Sequence, residues 1–306
     1  MTDSALAHSA LAYVYALWIG PDPADGNPTE LAVHYAHSAL ERDPQLGEPH
    51  AVLGNQHIDA GKPIEAELEF QRAMALDPRD PAALHFYAIH LYSVGRLRDA
   101  LDMERRSVAN DGASPQPMMW LAMLTTLIGD PDEARRLWQK TDELGAARPL
   151  CAAIARLDLG QKEFLSEWYH RQHDELYRPH VERAQIPSEL LDATDLAAGV
   201  LDPAQRGAAL AWLRRLEPYG DEGFLITHYG LLGDTNGAFR VAERFNLVDD
   251  VWYHYQLCNI WSPRTASMRA DARFGALMKR WGFLDYWQRF GAPDYCSIAN
   301  SGVRCR

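Results

Sequence analysis

The sequence predicts an all-α fold, a right-handed superhelical solenoid of helix-turn-helix repeats with a C-terminal helical cap, and three observations predict it. Gly61, Gly95 and Gly129 recur at one phase, as do Ala66, Ala100 and Ala134 and also Asp43, Asp77 and Asp111, about 34 residues apart. Leu53, Tyr87 and Leu121 share another phase, and each is followed by a small residue, Gly54, Ala88 or Ala122. Prolines stand at Asp77-Pro78 and Asp80-Pro81, where one helix pair ends and the next begins. A first helical turn tolerates proline and a helix interior does not.

The elements follow in order. His8 to Tyr15 parallels His50 to His57, which places a first helix near the N-terminus; its partner, Pro28 to Arg42, holds the phase through Ala32 and Ala39 after a loop insertion, Gly20 to Asn27. The next pair runs from Pro49 to Pro78 and turns at Gly61-Lys62-Pro63. Further pairs start at Pro81 and Ser114-Pro115 and turn at Gly95-Arg96 and Gly129-Asp130-Pro131. The small residue lets the first helix approach the second, the glycine ends the first helix, and Phe70 and Trp138 fill the space between them. Glu104 stands where an aromatic residue is expected, and Gly112 where a proline is.

After Leu144 the period fails while helical patterning continues. Pro149 to Leu159 and Lys162 to Leu176 read as a worn pair, Arg178 to Pro187 as a loop, and Ser188 to Val200 with Asp202 to Leu216 as another pair. A last pair, Glu222 to Leu232 and Thr235 to Phe245, turns at Gly233-Asp234. Nothing there reads as a strand. The expected divisions are 1–146 for the regular array, 147–262 for degenerate hairpins and 263–306 for capping helices and tail. Phe274, Leu277, Phe283, Tyr286 and Trp287 are expected to cover the apolar end that a solenoid exposes.

This pattern resembles the tetratricopeptide repeat family. Pro49 to Pro78 carries the family's signature nearly complete, with Leu53-Gly54, His57, Ala66, Phe70, Ala73 and Pro78. The tail, with Trp261-Ser262-Pro263, Met268 to Phe274, Gly282 to Trp287 and Pro293 to Cys296, is similar to the ending of such regions in bacterial winged-helix transcriptional regulators and class III adenylate cyclases. The resemblance implies a protein-interaction scaffold or adaptor, or a regulatory module that binds a small ligand. The repeats begin almost at Met1, without a winged-helix segment or cyclase metal motif, so a free-standing array and part of a longer regulator both stay open.

Composition narrows the function. With 47% hydrophobic and 24% charged residues, the 306-residue chain can bury a sizeable core. A formal charge of -12 argues against nucleic acid as a partner, since phosphate binding relies on lysine and arginine. No apolar run is long enough for membrane insertion, and no export leader is recognised. Four cysteines are too few for a disulfide framework, so a cytoplasmic location is expected, with Cys151 and Cys258 as small core residues. Whether Cys296 and Cys305 pair is left open.

His170 and His173 share a predicted helix with Glu167 and Asp174, and His180 follows. Without an HExxH order or a matching histidine motif, no metal is expected. No cofactor, catalytic nucleophile, GxSxG or phosphate loop is indicated, and the chain is not expected to be an enzyme. The alternative places an enzyme site near Trp168, His170 and His173.

Stacked hairpins offer a concave groove lined by the first helices. Counting from the signature leucine selects Tyr13, Asn55, Asp59, His85, Ile89, Tyr92, Met119 and Met123, with Ser9, Ala51 and Thr126 beside them. Aromatic, methionine and amide groups suit a protein or peptide partner, an extended segment or an amphipathic helix. The four lysines, Lys62, Lys140, Lys162 and Lys279, all fall off this stripe, so a clamp for a C-terminal carboxylate is not expected. Self-association into a homodimer is left open.

Overall fold

Several helices have their start or stop written locally. The computed structural model describes residues 4–18, 26–146, 149–170, 187, 190, 192–220, 222–245, 257–299 and 302–305. Hairpins form from α1 (Ala5–Ala16) with α2 (Pro28–Arg42), α3 (Glu48–Asp59) with α4 (Pro63–Leu76), α5 (Pro81–Ser93) with α6 (Leu97–Asn110), and α7 (Pro115–Ile128) with α8 (Pro131–Glu143). Asn27 Oδ1 accepts from the Thr29 and Glu30 amides at the start of α2, and Asp80 and Asp130 cap α5 and α8 the same way. Gly61 and Gly95 end α3 and α5 with φ of 65° and 81°. Gly129 takes no such left-handed turn. A Cβ there would stand 2.7 Å from the Thr125 carbonyl oxygen, so close approach holds that position to glycine.

The signature residues pack as their spacing requires. A Cβ on Gly54 would stand 2.9 Å from the Phe70 ring, so α3 meets α4 at a distance only glycine allows. Phe70 in turn stacks on Tyr87 of the next hairpin at 5.2 Å. Trp138 fills the same place in α8 and donates from Nε1 to Thr126 Oγ1 at 3.0 Å. The first helices α3 and α5 are buried around most of their circumference: in α5, Ala83 to Phe86 and Ala88 to Ser93 are all inside. Second helices such as α6 bury one stripe, Leu97, Ala100, Leu101, Glu104 and Ser107.

Contacts group the chain into two compact units. The first takes in Met1–Leu121 and Trp281–Asp294; the second takes in Ala122–Asn246, Tyr255–Arg280 and Tyr295–Arg306. In the first unit the tail helix that follows Gly282 packs on α4. Its Trp287 donates to the Val94 carbonyl at 2.7 Å, and the Asp294 amide donates to the Gly95 carbonyl at 2.9 Å. In the second unit lie α9 (Leu150–Asp158), α10 (162–170, as far as it is described), α11 (Thr194–Leu201), α12 (Arg206–Leu216), α13 (Glu222–Leu231), α14 (Thr235–Ala242), α15 (Ala266–Arg269) and α16 (Phe274–Arg280). Buried Arg156 anchors α9, forked on Asp142 at 2.7 and 3.1 Å and seated over the rings of Trp138 and Phe164.

The tail is buried as a cap requires, but it is shared out. Phe274 and Leu277 of α16 are core of the second unit, while Phe283, Tyr286 and Trp287 of α17 (Phe283–Phe290) are core of the first. The chain ends in strands, which the helical reading did not anticipate: β1 (Cys296–Ala299) pairs antiparallel with β2 (Gly302–Cys305). Cys296 stands opposite Cys305 in that register, and the two form a disulfide. Cys151, expected as a plain core thiol, is also disulfide-bonded. Among the described residues no cysteine is free. The described cysteines are thus all paired, and their small number does not by itself indicate a reducing compartment.

Candidate interaction site

The stripe picked out by spacing is largely interior. Tyr13 on α1 is half-buried, whereas Asn55 and Asp59 on α3, His85, Ile89 and Tyr92 on α5, and Met119 on α7 are buried in the first unit. Met123, also buried, belongs to the second unit. The rings converge: Tyr13 lies 5.7 Å from Phe86, His85 lies 6.4 Å from Trp120, and Tyr92 meets Trp120 edge-on at 5.2 Å. Burial raises the Tyr13 pKa, helped by Glu48, Asp80 and Asp111.

Two stripe positions turn toward their own second helix. His85 Nδ1 sits 2.9 Å from Glu104 of α6, which is why a carboxylate is tolerated where an aromatic residue was expected. Burial raises the Glu104 pKa, and the charge and hydrogen bond of His85 oppose that shift. His50 and Glu69 repeat the relationship one hairpin earlier at 2.6 Å, again 19 residues apart. Thr126 likewise faces Trp138, and Ser9 donates to Glu48. His85, Thr126 and Ser9 thus each engage a neighbouring helix through a polar group.

Sequence reasoning missed a buried polar centre on Glu67. This α4 carboxylate accepts from Tyr87 at 2.6 Å, Tyr286 at 2.8 Å, Gln71 at 3.0 Å and His90 Nε2 at 3.1 Å, with Arg96 at 4.0 Å. Its partners are scattered along the chain, so only Gln71, one helical turn away, could have signalled it. A second buried pair joins Tyr169 to His228 at 2.8 Å in the second unit.

The histidine cluster near α10 is described only in part. His170 is exposed, and its Nδ1 lies 2.7 Å from the Ser166 carbonyl; His173, Asp174 and His180 lie outside the described residues, as do most of the loops at 20–27 and 178–187. Among the described residues, no group of histidine, cysteine, aspartate or glutamate is placed to hold a metal ion, and no helix is long and apolar enough to cross a membrane.

The hairpins, their glycine stops and their small-on-aromatic contacts define an all-α helical-repeat protein of tetratricopeptide-like architecture. No protein-family model and no curated protein matches the sequence. A solved structure described as a functional characterization of Pseudomonas aeruginosa pilF is similar at 21% identity and a TM-score of 0.42, over 70% of this chain and 90% of that one.

Proposed function

We propose that the chain is a protein-interaction module that takes up a partner's peptide or helix along Tyr13, Asn55, Asp59, His85, Ile89, Tyr92 and Met119. What supports this reading is the grading of burial along the stripe. Asn55 and His85 keep 7% of their surface open and Tyr13 keeps more, while Met119 keeps 1%. Polar groups at the rim over an apolar floor is the composition of a recognition surface. The methionine and aromatic floor can repack around different apolar anchors. Glu104 fixes the His85 ring, so a partner meets a pre-oriented imidazole.

The likeness of the tail to the endings of bacterial regulators supports a second reading, a regulatory module. Tyr286 and Trp287 of that pattern are both core residues of the first unit.

The interaction reading is tested by placing a photo-crosslinking amino acid at positions 13 and 55, and at exposed position 136 of α8 as control. Adducts with one and the same protein from 13 and 55, and none from 136, are expected. Equal labelling from all three positions, or labelling from 136 alone, would remove the stripe from the function.

A further inference from the structure

Helix α1 carries an open apolar side. Leu6, Ala10, Leu11, Val14 and Leu17 are exposed, Leu6 by 67% and Val14 by 51%, with Ala7 between them. At 100° per residue these positions share one side of the helix. Ala5–Ala16 contains no acidic residue, lysine or arginine anywhere.

The same positions are used for stacking one hairpin further on. Val52, Leu53 and Gln56 of α3 correspond to Ala10, Leu11 and Val14 of α1, and all three are buried, because α3 packs on both α1 and α2. The open side of α1 is therefore a surface shaped to receive helices of this chain's own kind.

We infer that it docks on α1 of a second copy, forming a two-fold dimer. Charge selects the place: two chains of formal charge -12 repel each other over most of their surface, and α1 is a stretch free of carboxylates. Size fits as well. The open parts of these side chains amount to about 400–500 Å² per copy, so about 800–1,000 Å² for the pair, the size of a weak, reversible interface. A two-fold axis presents one patch to itself, and an antiparallel crossing sets the small Ala7 and Ala10 against the larger Leu17 and Val14. Tyr13 of the stripe stands on this same side of α1, whereas Asn55 lies on α3, so crosslinking from position 55 tells the two readings apart.

Sedimentation equilibrium of the full chain at tens of micromolar decides the matter. Wild type and Gln288→Glu, which adds the same charge at another exposed site, are expected at twice the chain mass of 34.5 kDa. Leu6→Glu and Val14→Glu are expected at 34.5 kDa with unchanged helical circular dichroism, their dimer dissociation constant raised about 100-fold or more. A monomeric wild type, or folded variants that stay dimeric, overturns the dimer. Should both variants misfold, a photo-crosslinker at position 11 of the otherwise wild-type chain settles it. An adduct between two copies supports the proposal, and an adduct to another protein only, or none, refutes it.

Discussion

Tyr286 in the last helix donates a hydrogen bond to Glu67 at 2.8 Å, across a sequence separation of 219 residues. Burial alone would raise the Glu67 pKa, but hydrogen bonds from His90, Tyr87 and Tyr286 and the charge of His90 overcome it and bring the carboxyl to about 2. Burial pushes the His90 pKa down, and Glu67 opposes that. At 3.1 Å the His90 ring donates from Nε2 to this carboxylate. That leaves His90 Nδ1 buried without a hydrogen-bond partner.

Removing this acceptor strands its donors. Glu67→Ala leaves Tyr87, Tyr286 and His90 buried with nothing to accept their protons, and is expected to cost about 3–5 kcal/mol. Tyr286→Phe removes one bond of several and is expected to cost about 1 kcal/mol. Urea unfolding measures both; a Glu67→Ala cost below that of Tyr286→Phe would show that the centre does not hold the tail helix. The Glu67 contribution is present above its ordinary value of 4.5 and is lost as pH falls through about 2.

His228 makes a separate acid response at milder pH. Its Nδ1 faces the Phe224 carbonyl at 2.8 Å and so carries the hydrogen, which leaves Nε2 to accept from Tyr169. Burial lowers its pKa from 6.5 to about 4, partly offset by the Phe224 bond. The unfolded chain binds the proton more readily, so this stability is complete above pH 6.5 and is lost as pH falls through about 4. The shift corresponds to about 3 kcal/mol. Melting curves from pH 7.5 to 4.5 should fall steeply for wild type and less so for His228→Gln; parallel curves would mean that His228 does not titrate in this range.

What could be read from the sequence was local or periodic. Gly54, Gly61, Gly95, Phe70 and Trp138 act within one hairpin, and their roles follow from spacing alone. His85 with Glu104 was half legible: the departure at 104 was visible, but its compensation lies 19 residues away on another helix. Glu67 was not legible, because its partners at 87, 90 and 286 meet only after the tail has docked. Repeat phase assigns the stripe to first helices, but its burial depends on what packs against those helices, which phase does not encode. The terminal hairpin escaped because its two strands, Cys296–Ala299 and Gly302–Cys305, are only four residues each, too short for an alternating pattern to stand out in the tail.

The tight contact at Gly54 predicts overpacking. A methyl group there meets the Phe70 ring at 2.9 to 3.0 Å, and Phe70 is held in turn by Tyr87. Gly54→Ala gains up to about 1 kcal/mol of helix propensity and loses about 1–3 kcal/mol to strain, so the variant should be less stable. Phe70→Leu frees space beside it, and the two substitutions together should cost less than their sum. Additive costs in a double-mutant cycle would show that the methyl group and the ring do not collide.

The terminal hairpin carries the prediction that bears on where the protein works. Two strands of four residues are too short to stand alone in water, so β1 and β2 depend on the Cys296–Cys305 bond and on packing of β2 against α16. Closing so short a loop stabilises the hairpin by about 2–3 kcal/mol relative to the reduced chain. Native protein, denatured without reductant and treated with a thiol reagent, should leave Cys151, Cys296 and Cys305 unlabelled, and all should label after reduction. Reduction should also speed amide exchange at 296–299 and 302–305 before it affects α3 or α5, which bury most of their residues. Full labelling before reduction would restore the plain-thiol expectation for Cys151 and, with it, a reducing compartment.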